Sequence, residues 1–243
     1  MTPARFDAER AKGYDDRVSR AIPGYGLLHD IAAVTLAALV PPQARLLVVG
    51  CGTGTDILRL APHQPGWSFV GVDPAPEMLA LARLRLAEAG LEGRTTLVEG
   101  RVEAVEPPPA GGFDGALCLL VGHFLPDSPA TAEAVYGKAA LLAGVAALLR
   151  PGAPLLIADF ALPPPTEVLP AGLIEDAWTL WQHERGIAAE AIDRGLAHAR
   201  RAIHPIDPAR LGALLGAAGF TPPAGVFQAL QVRGWLSFRK DDR

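Results

Sequence analysis

The sequence predicts a doubly wound α/β fold, a mainly parallel seven-stranded sheet layered by helices. Three observations lead there. Strand-like and helix-like segments alternate along the chain, the strand-like ones are continuous apolar runs, and the first of them ends in a glycine-rich turn that opens a helix. A strand that is apolar at every position is buried on both faces, the condition of a parallel sheet covered by helices. With 243 residues, 50% hydrophobic and 20% charged, the chain fits one large α/β domain, residues 1–243, better than two equal halves.

The elements follow in order. Residues 1–40 are expected to form a helical N-terminal lid, in which "IPGYG" introduces a helix from about Tyr25 to Leu39. The core, residues 45–160, begins with "ARLLVVG", a buried strand that stops at glycine. From Asp56 onward "DILRLA" has helical spacing, and "HQPGW" closes it. "WSFVGVD" is a second strand ending at Asp73, and "PEMLALARLRLAEAG" a helix with Met78, Leu79, Ala82 and Leu86 apolar and Gly90 as its stop. "TTLVEG" is a third strand and "FDGALCLLV" a fourth. A helix over roughly Thr131 to Leu149 ends before "RPG", and "APLLIADF" is the fifth strand.

Residues 162–205 read as an insertion on the substrate side. It opens with "PPPTEVLP", whose prolines exclude regular structure, and continues with "GLIEDAWTLWQHERG", where Leu173, Ile174, Ala177, Trp178 and Trp181 share one helical face. Residues 206–243 hold a helix from about Pro208 to Ala218 and two strands joined around Ala229 to Gln231. No fixed-period repeat is present.

Composition narrows the function classes. A net charge of −4 and a pI near 5.9 argue against avid nonspecific binding to nucleic acid. Two cysteines, Cys51 and Cys118, make neither a disulfide framework nor a zinc site. "MTPARFDAERAKGYDDR" is charged throughout, unlike a signal peptide. The longest apolar-rich run, Leu27 to Val40, is interrupted by His29 and Asp30 and is too short to span a membrane. A cytoplasmic protein with no membrane partner is expected.

A strand that ends in glycines and leads into a helix is the ligand-cradling corner of doubly wound sheets. Here the order is Gly50-Cys51-Gly52-Thr53-Gly54, with Thr55 where a dinucleotide fingerprint has its third glycine. Asp73, closing the second strand, is placed to accept hydrogen bonds from ribose hydroxyls, and it equally suits the N-cap of the next helix. A ribose site without a pyrophosphate fingerprint points to an adenosine ligand of another kind. Asp56, just inside the first core helix, is expected to cap it.

"LLVVGCGTG", "FVGVDPAPEMLALAR", "FDGALCLLVGHFLPD" and "LLRPGAPLLIADF" together resemble the class I S-adenosylmethionine-dependent methyltransferases, and the likeness resumes at "LLGAAGF". The resemblance implies S-adenosylmethionine as cofactor, with Gly50, Cys51, Gly52 and Gly54 under its methionine portion and Asp73 on the ribose with Pro74 beside it. It places Met78 against the adenine, Arg101 and Val102 near the adenine amine, and Leu120 at the strand end that faces the reacting methyl group. Two departures stand out: Val48 where the family often has an acid, and Arg101 where an acid is common, with Glu103 or the local backbone as substitutes. "YDDRVSRAIPGYGLLHD" is similar to the subgroup containing the bacterial wobble-uridine carboxymethyl transferases. That similarity implies a lid with Tyr14 and Tyr25 over the sulfonium end, or tyrosines that pack the first helix. The carboxylated cofactor of that subgroup is not carried over, because no single arginine aligns with its carboxylate partner.

The expected reaction is in-line methyl transfer to a small-molecule acceptor, which needs alignment and exclusion of water more than a strong base. His123 in "VGHFLPD" is best placed as a base or as a pocket wall, with Tyr14 beside the reacting end. His183 and Glu184 come next, and Trp178 and Trp181 line an apolar pocket or pack the core. The basic stretch with Arg194, Arg200 and Arg201 is expected to be a solvated face. The competing readings are a tRNA-modifying methyl or carboxymethyl transferase, a non-catalytic cofactor-binding protein and, third, a nicotinamide oxidoreductase, which Thr55 disfavours. A homodimer is compatible with each.

Overall fold

The computed structural model describes residues 13–108, 111–127, 136–164 and 168–241. Two helices, α1 (Tyr14–Ala21) and α2 (Tyr25–Leu39), precede the sheet. The alternating core then runs β1 (Arg45–Val49), α3 (Thr55–Leu60), β2 (Ser68–Asp73), α4 (Pro76–Glu88), β3 (Thr95–Glu99), β4 (Gly115–Leu119), α5 (Lys138–Leu148) and β5 (Pro154–Phe160). The insertion holds α6 (Leu173–Glu184) and α7 (Ala189–Ala202), and the chain ends with α8 (Pro208–Ala217), β6 (Ala224–Ala229) and β7 (Val232–Phe238).

The seven strands lie in the order β3-β2-β1-β4-β5-β7-β6. All neighbours are parallel except β7, which runs antiparallel to both β5 and β6. Along β1 the apolar run divides by strand periodicity: Leu46 and Val48 face one side, Leu47 and Val49 the other. The first side packs on α2, α3 and α4 through Leu28, Leu36, Ile57 and Leu79. The second packs on α5 and α8 through Leu141, Val145, Leu211 and Leu215. The unbroken hydrophobicity that predicted burial on both faces is therefore two separate cores.

Some boundaries differ from expectation. The helix expected from Thr131 is described only as Lys138–Leu148, residues 131–135 lying outside the described residues. The fourth strand stops at Leu119 because Leu120 turns to φ 58°, a conformation that ends pairing. The basic stretch after the tryptophan helix folds as α7, a helix anchored by buried Ile192 and Leu196. Two apolar positions are a faint periodic signal, which is why the sequence alone does not announce it. Asp56 is not a cap: α3 begins at Gly54 with no side-chain cap bond, and the buried Asp56 carboxylate turns to His29 instead. Among the described residues no single helix is long and apolar enough to cross a membrane.

Candidate active site

The site is built at the carboxyl ends of β1, β2, β4 and β5. Gly50, Gly52 and Gly54 have φ of 65°, 49° and 81°, so the turn runs through left-handed backbone that L side chains resist. Their surroundings differ. A side chain at Gly50 would overlap Val121, whereas one at Gly54 would make ordinary contact with Ala82 of α4 at 3.4 Å. At Gly52 the nearest atom is the Met78 methyl at 3.7 Å, so this glycine clears space rather than fitting a neighbour. Cys51 turns its buried thiol inward against Gly71, leaving its backbone to the loop.

The backbone of this corner is largely committed. Gly50 and Cys51 N–H both donate to Val72 O, and Gly54 N–H donates to Cys51 O. Gly52 N–H donates to Asp73 Oδ2 at 2.9 Å, while Asp73 Oδ1 accepts the Ala75 N–H at 2.9 Å. Asp73 thus ties the end of β2 to the glycine loop, and the formal N-cap of α4 is Ala75. Burial pushes the Asp73 carboxyl above the usual range, and the two N–H groups partly restrain the rise. Pro74 beside it is exposed.

Beyond the loop, Met78 is buried beside Gly52. Val102 is buried against Gly144, where an added Cβ would lie 2.5 Å from it. Arg101 is exposed, and its guanidinium stacks on Tyr136 with 4.4 Å to the ring centroid. Burial and then the charge of Glu103 raise the Tyr136 phenol, so both candidates for the adenine edge act on a residue that sequence reasoning passed over.

The helix α1 is latched to this corner. Asp15 Oδ1 accepts from the Thr53 hydroxyl at 2.8 Å, and its other oxygen pairs with Arg85 at 2.5 Å. Arg85 also donates to Thr53 O at 2.9 Å, joining α1, the glycine turn and α4. Tyr14, next to Asp15, has its phenol pushed up to about 12 by burial first and then by the charges of Asp15 and Asp73. Burial and Asp56 raise the Tyr25 phenol as well, and its ring meets His29 edge-on at 4.4 Å. On the far side Trp178 and Trp181 of α6 donate their indole N–H groups to Ala21 O and Arg20 O, at 2.7 and 3.0 Å. Both indoles, expected to line a pocket or pack the core, thus fasten the insertion to the end of α1.

At the other end of the site the chain leaves β4 through Leu120 and forms a short turn, Gly122–Phe124. His123 is buried, and its Nδ1 lies 2.7 Å from Asp159 Oδ1 of β5. The same oxygen accepts the Phe160 N–H at 2.9 Å. A carboxylate only accepts, so Nδ1 carries the proton and Nε2 is the nitrogen able to receive one. Gly122 is required there, since a side chain would overlap Asp159 Oδ2. The His123 ring lies 4.0 Å from Phe124 and 5.0 Å from Phe160, and Phe160 lies 5.7 Å from Trp178. Lys138 clamps the turn: its ammonium donates to Leu125 O at 2.6 Å and His204 O at 2.8 Å, and burial lowers its pKa.

His183 and Glu184 sit exposed at the end of α6, as do Arg194 and Arg201 on α7, while Arg200 pairs with Glu175. Sequence reasoning missed Asp159, Lys138, Asp15 and Arg85. Asp159 did leave a signal, a lone acid inside the buried run "LLIADF".

Comparison with known proteins agrees with this architecture. A family model described as a methyltransferase domain matches residues 47–155. The chain is 33% identical over 201 residues to nocamycin O-methyltransferase of Saccharothrix syringae, covering 82% of this chain and 61% of that protein, so it spans about three-fifths of that relative. It is 28% identical over 243 residues to the carboxy-S-adenosyl-L-methionine synthase of Chromohalobacter salexigens, covering 96% of this chain and 83% of the relative. Among solved structures, an O-methyltransferase from neocarzinostatin biosynthesis, in complex with S-adenosylmethionine and a hydroxy-methyl naphthoic acid, shares the fold. Its TM-score is 0.61 at 19% identity, over 97% of this chain and 59% of that one.

Proposed function

We propose that the chain is a class I S-adenosylmethionine-dependent methyltransferase that methylates a hydroxyl group of a small, largely apolar acceptor. The observation that carries this reading is the His123–Asp159 pair at the ends of β4 and β5, on the same edge of the sheet as the glycine corner.

The residues present suit the cofactor. Gly52 has open space beside it, Asp73 offers a carboxylate to ribose hydroxyls, and Met78 provides an apolar contact for the adenine. Bound there, S-adenosylmethionine supplies a methyl group already activated on a sulfonium. The protein's part is alignment, exclusion of water and removal of one proton. His123 Nε2 takes up the proton of the acceptor hydroxyl. Asp159 keeps the ring in the tautomer able to do so and stabilises the imidazolium that results. Phe124, Phe160 and Trp178 supply aromatic surface next to His123, which favours a planar acceptor. Tyr14 and Tyr25, on the latched helices, cover the amino-acid end of the cofactor. Cys51 and Cys118, both buried as free thiols, suit a reducing cytoplasm.

Relatives support the acceptor class: one is named for O-methylation of nocamycin, and the neocarzinostatin enzyme was solved with a naphthoic acid. Transfer of labelled methyl groups from S-adenosylmethionine to hydroxylated aromatic compounds, run beside bulk tRNA, tests the reading. Label in the aromatic fraction that disappears in His123→Gln is the expected result. Label only in tRNA would replace the acceptor class, and tight binding of NADH in place of S-adenosylhomocysteine would overturn the reading.

A further inference from the structure

A second His–Asp pair lies on the opposite side of the glycine corner, and methyl transfer as derived above leaves it unused. His29 of α2 and Asp56 of α3 are 5% and 6% exposed, with His29 Nδ1 and Asp56 Oδ1 2.6 Å apart. The carboxylate accepts, so the Nδ1 proton points at Asp56. The other ring nitrogen, His29 Nε2, is buried with no hydrogen-bond partner among the described residues. A doubly protonated ring would strand a cationic N–H there, a far larger desolvation penalty than a bare lone pair. His29 is therefore neutral, and Asp56 retains its full negative charge inside the protein.

Among the described residues no lysine or arginine pairs with that carboxylate. Arg85, which bonds the turn, is engaged by Asp15 and Thr53, and Arg59 of α3 reaches Asp30. A buried carboxylate held by one neutral partner is costly unless a positive group completes it. Its location indicates the source of that group. Asp56 stands two residues past Gly54, its side chain 8% exposed, and its partner His29 touches Tyr25. Its field reaches the phenols of Tyr14 and Tyr25 and the thiol of Cys51. Val48, two places before Gly50, is fully buried and apolar, so β1 brings no charge of its own to the corner.

We propose that Asp56, held by neutral His29, is the counter-charge for a ligand ammonium at the glycine corner. Granted that the ligand is S-adenosylmethionine, the ammonium is the α-amino group of its amino-acid end.

Calorimetric titration of the full chain with three probes tests this: S-adenosylhomocysteine, its analogue lacking the α-amino group, and 5′-methylthioadenosine, which lacks the whole amino-acid end. The wild type is expected to bind S-adenosylhomocysteine at least tenfold more tightly than the desamino analogue. Asp56→Asn should erase that preference and leave 5′-methylthioadenosine affinity unchanged; His29→Gln should weaken it in the same direction. Equal affinity of the wild type for the first two probes overturns the assignment without any variant needing to fold. A preserved preference in Asp56→Asn overturns it too, while the cofactor reading stands. If the wild type binds none of the three, the cofactor reading falls and the assignment with it.

Discussion

His123 and Asp159 come from the ends of adjacent strands, β4 and β5, and meet with 2.7 Å between Nδ1 and Oδ1 in a setting where both are almost wholly buried. The parallel register that pairs Leu119 with Ala158 brings the two residues level. Because Asp159 also accepts the Phe160 N–H, its position is set by the backbone and does not depend on the histidine.

Replacing either member should therefore separate chemistry from cofactor binding. His123→Gln is expected to lower kcat by about 10²–10⁴-fold, the usual worth of a positioned base. Asp159→Asn should lower it by less and leave S-adenosylhomocysteine affinity within about twofold. Single-turnover methyl transfer and calorimetry on the same preparations check this; a loss of cofactor affinity as large as the loss of kcat would contradict it.

Asp73 makes a different prediction, about binding. Asp73→Asn should weaken S-adenosylhomocysteine by roughly ten- to a hundredfold, matching about 1.5–3 kcal/mol for hydrogen bonds to a charged group. The substitution should also alter stability against pH. Burial raises the folded-state carboxyl above its ordinary value of 3.8, so the folded chain holds the proton to higher pH than the unfolded chain. Stability from this residue is then fully present below the ordinary carboxyl range and is lost as pH rises through the raised value. Melting temperature followed from acid to neutral pH should fall more in the wild type than in Asp73→Asn.

The glycines should respond unequally. Gly50→Ala meets both a positive φ and Val121, and it is expected to destabilise the fold by about 2–4 kcal/mol. Gly52→Ala has only the backbone penalty, about 1 kcal/mol, yet its methyl group enters the open space beside the turn, where the proposed ligand would lie. Denaturation midpoints and S-adenosylhomocysteine titrations should rank the two in opposite orders. A folded Gly52→Ala protein that binds as well as the wild type would remove this glycine from the site.

The latch between Asp15 and Arg85 is one-third exposed on each side, so screening limits it to about 0.5–1 kcal/mol. Asp15→Asn is accordingly expected to speed dissociation of S-adenosylhomocysteine by roughly two- to fivefold in stopped flow. Melting temperature should barely move, since the residues of α1 are at most partly buried.

Much of this protein was legible before any coordinates. Apolar runs such as "RLLVV" and "APLLIADF" force burial on both faces, and burial on both faces forces helices onto both sides of a parallel sheet. The glycine spacing and the acid closing β2 marked the candidate ligand corner, because backbone conformation and a strand-end carboxylate are local properties. Other features were decided only by tertiary structure. Asp56 looked like a helix cap, since capping is the commonest use of an acid there, and only the packing of α2 on α3 brought His29 to it. Arg101 is stacked on Tyr136, 35 positions away in the chain, a contact that no local pattern records. His123 was a visible candidate, but its partner Asp159 comes from the neighbouring strand, and strand register is fixed by the whole sheet. Sequence determined which segments must be buried and where the backbone must turn; the fold decided which charges face each other, because pairing depends on distances that only closure of the sheet and its helices sets.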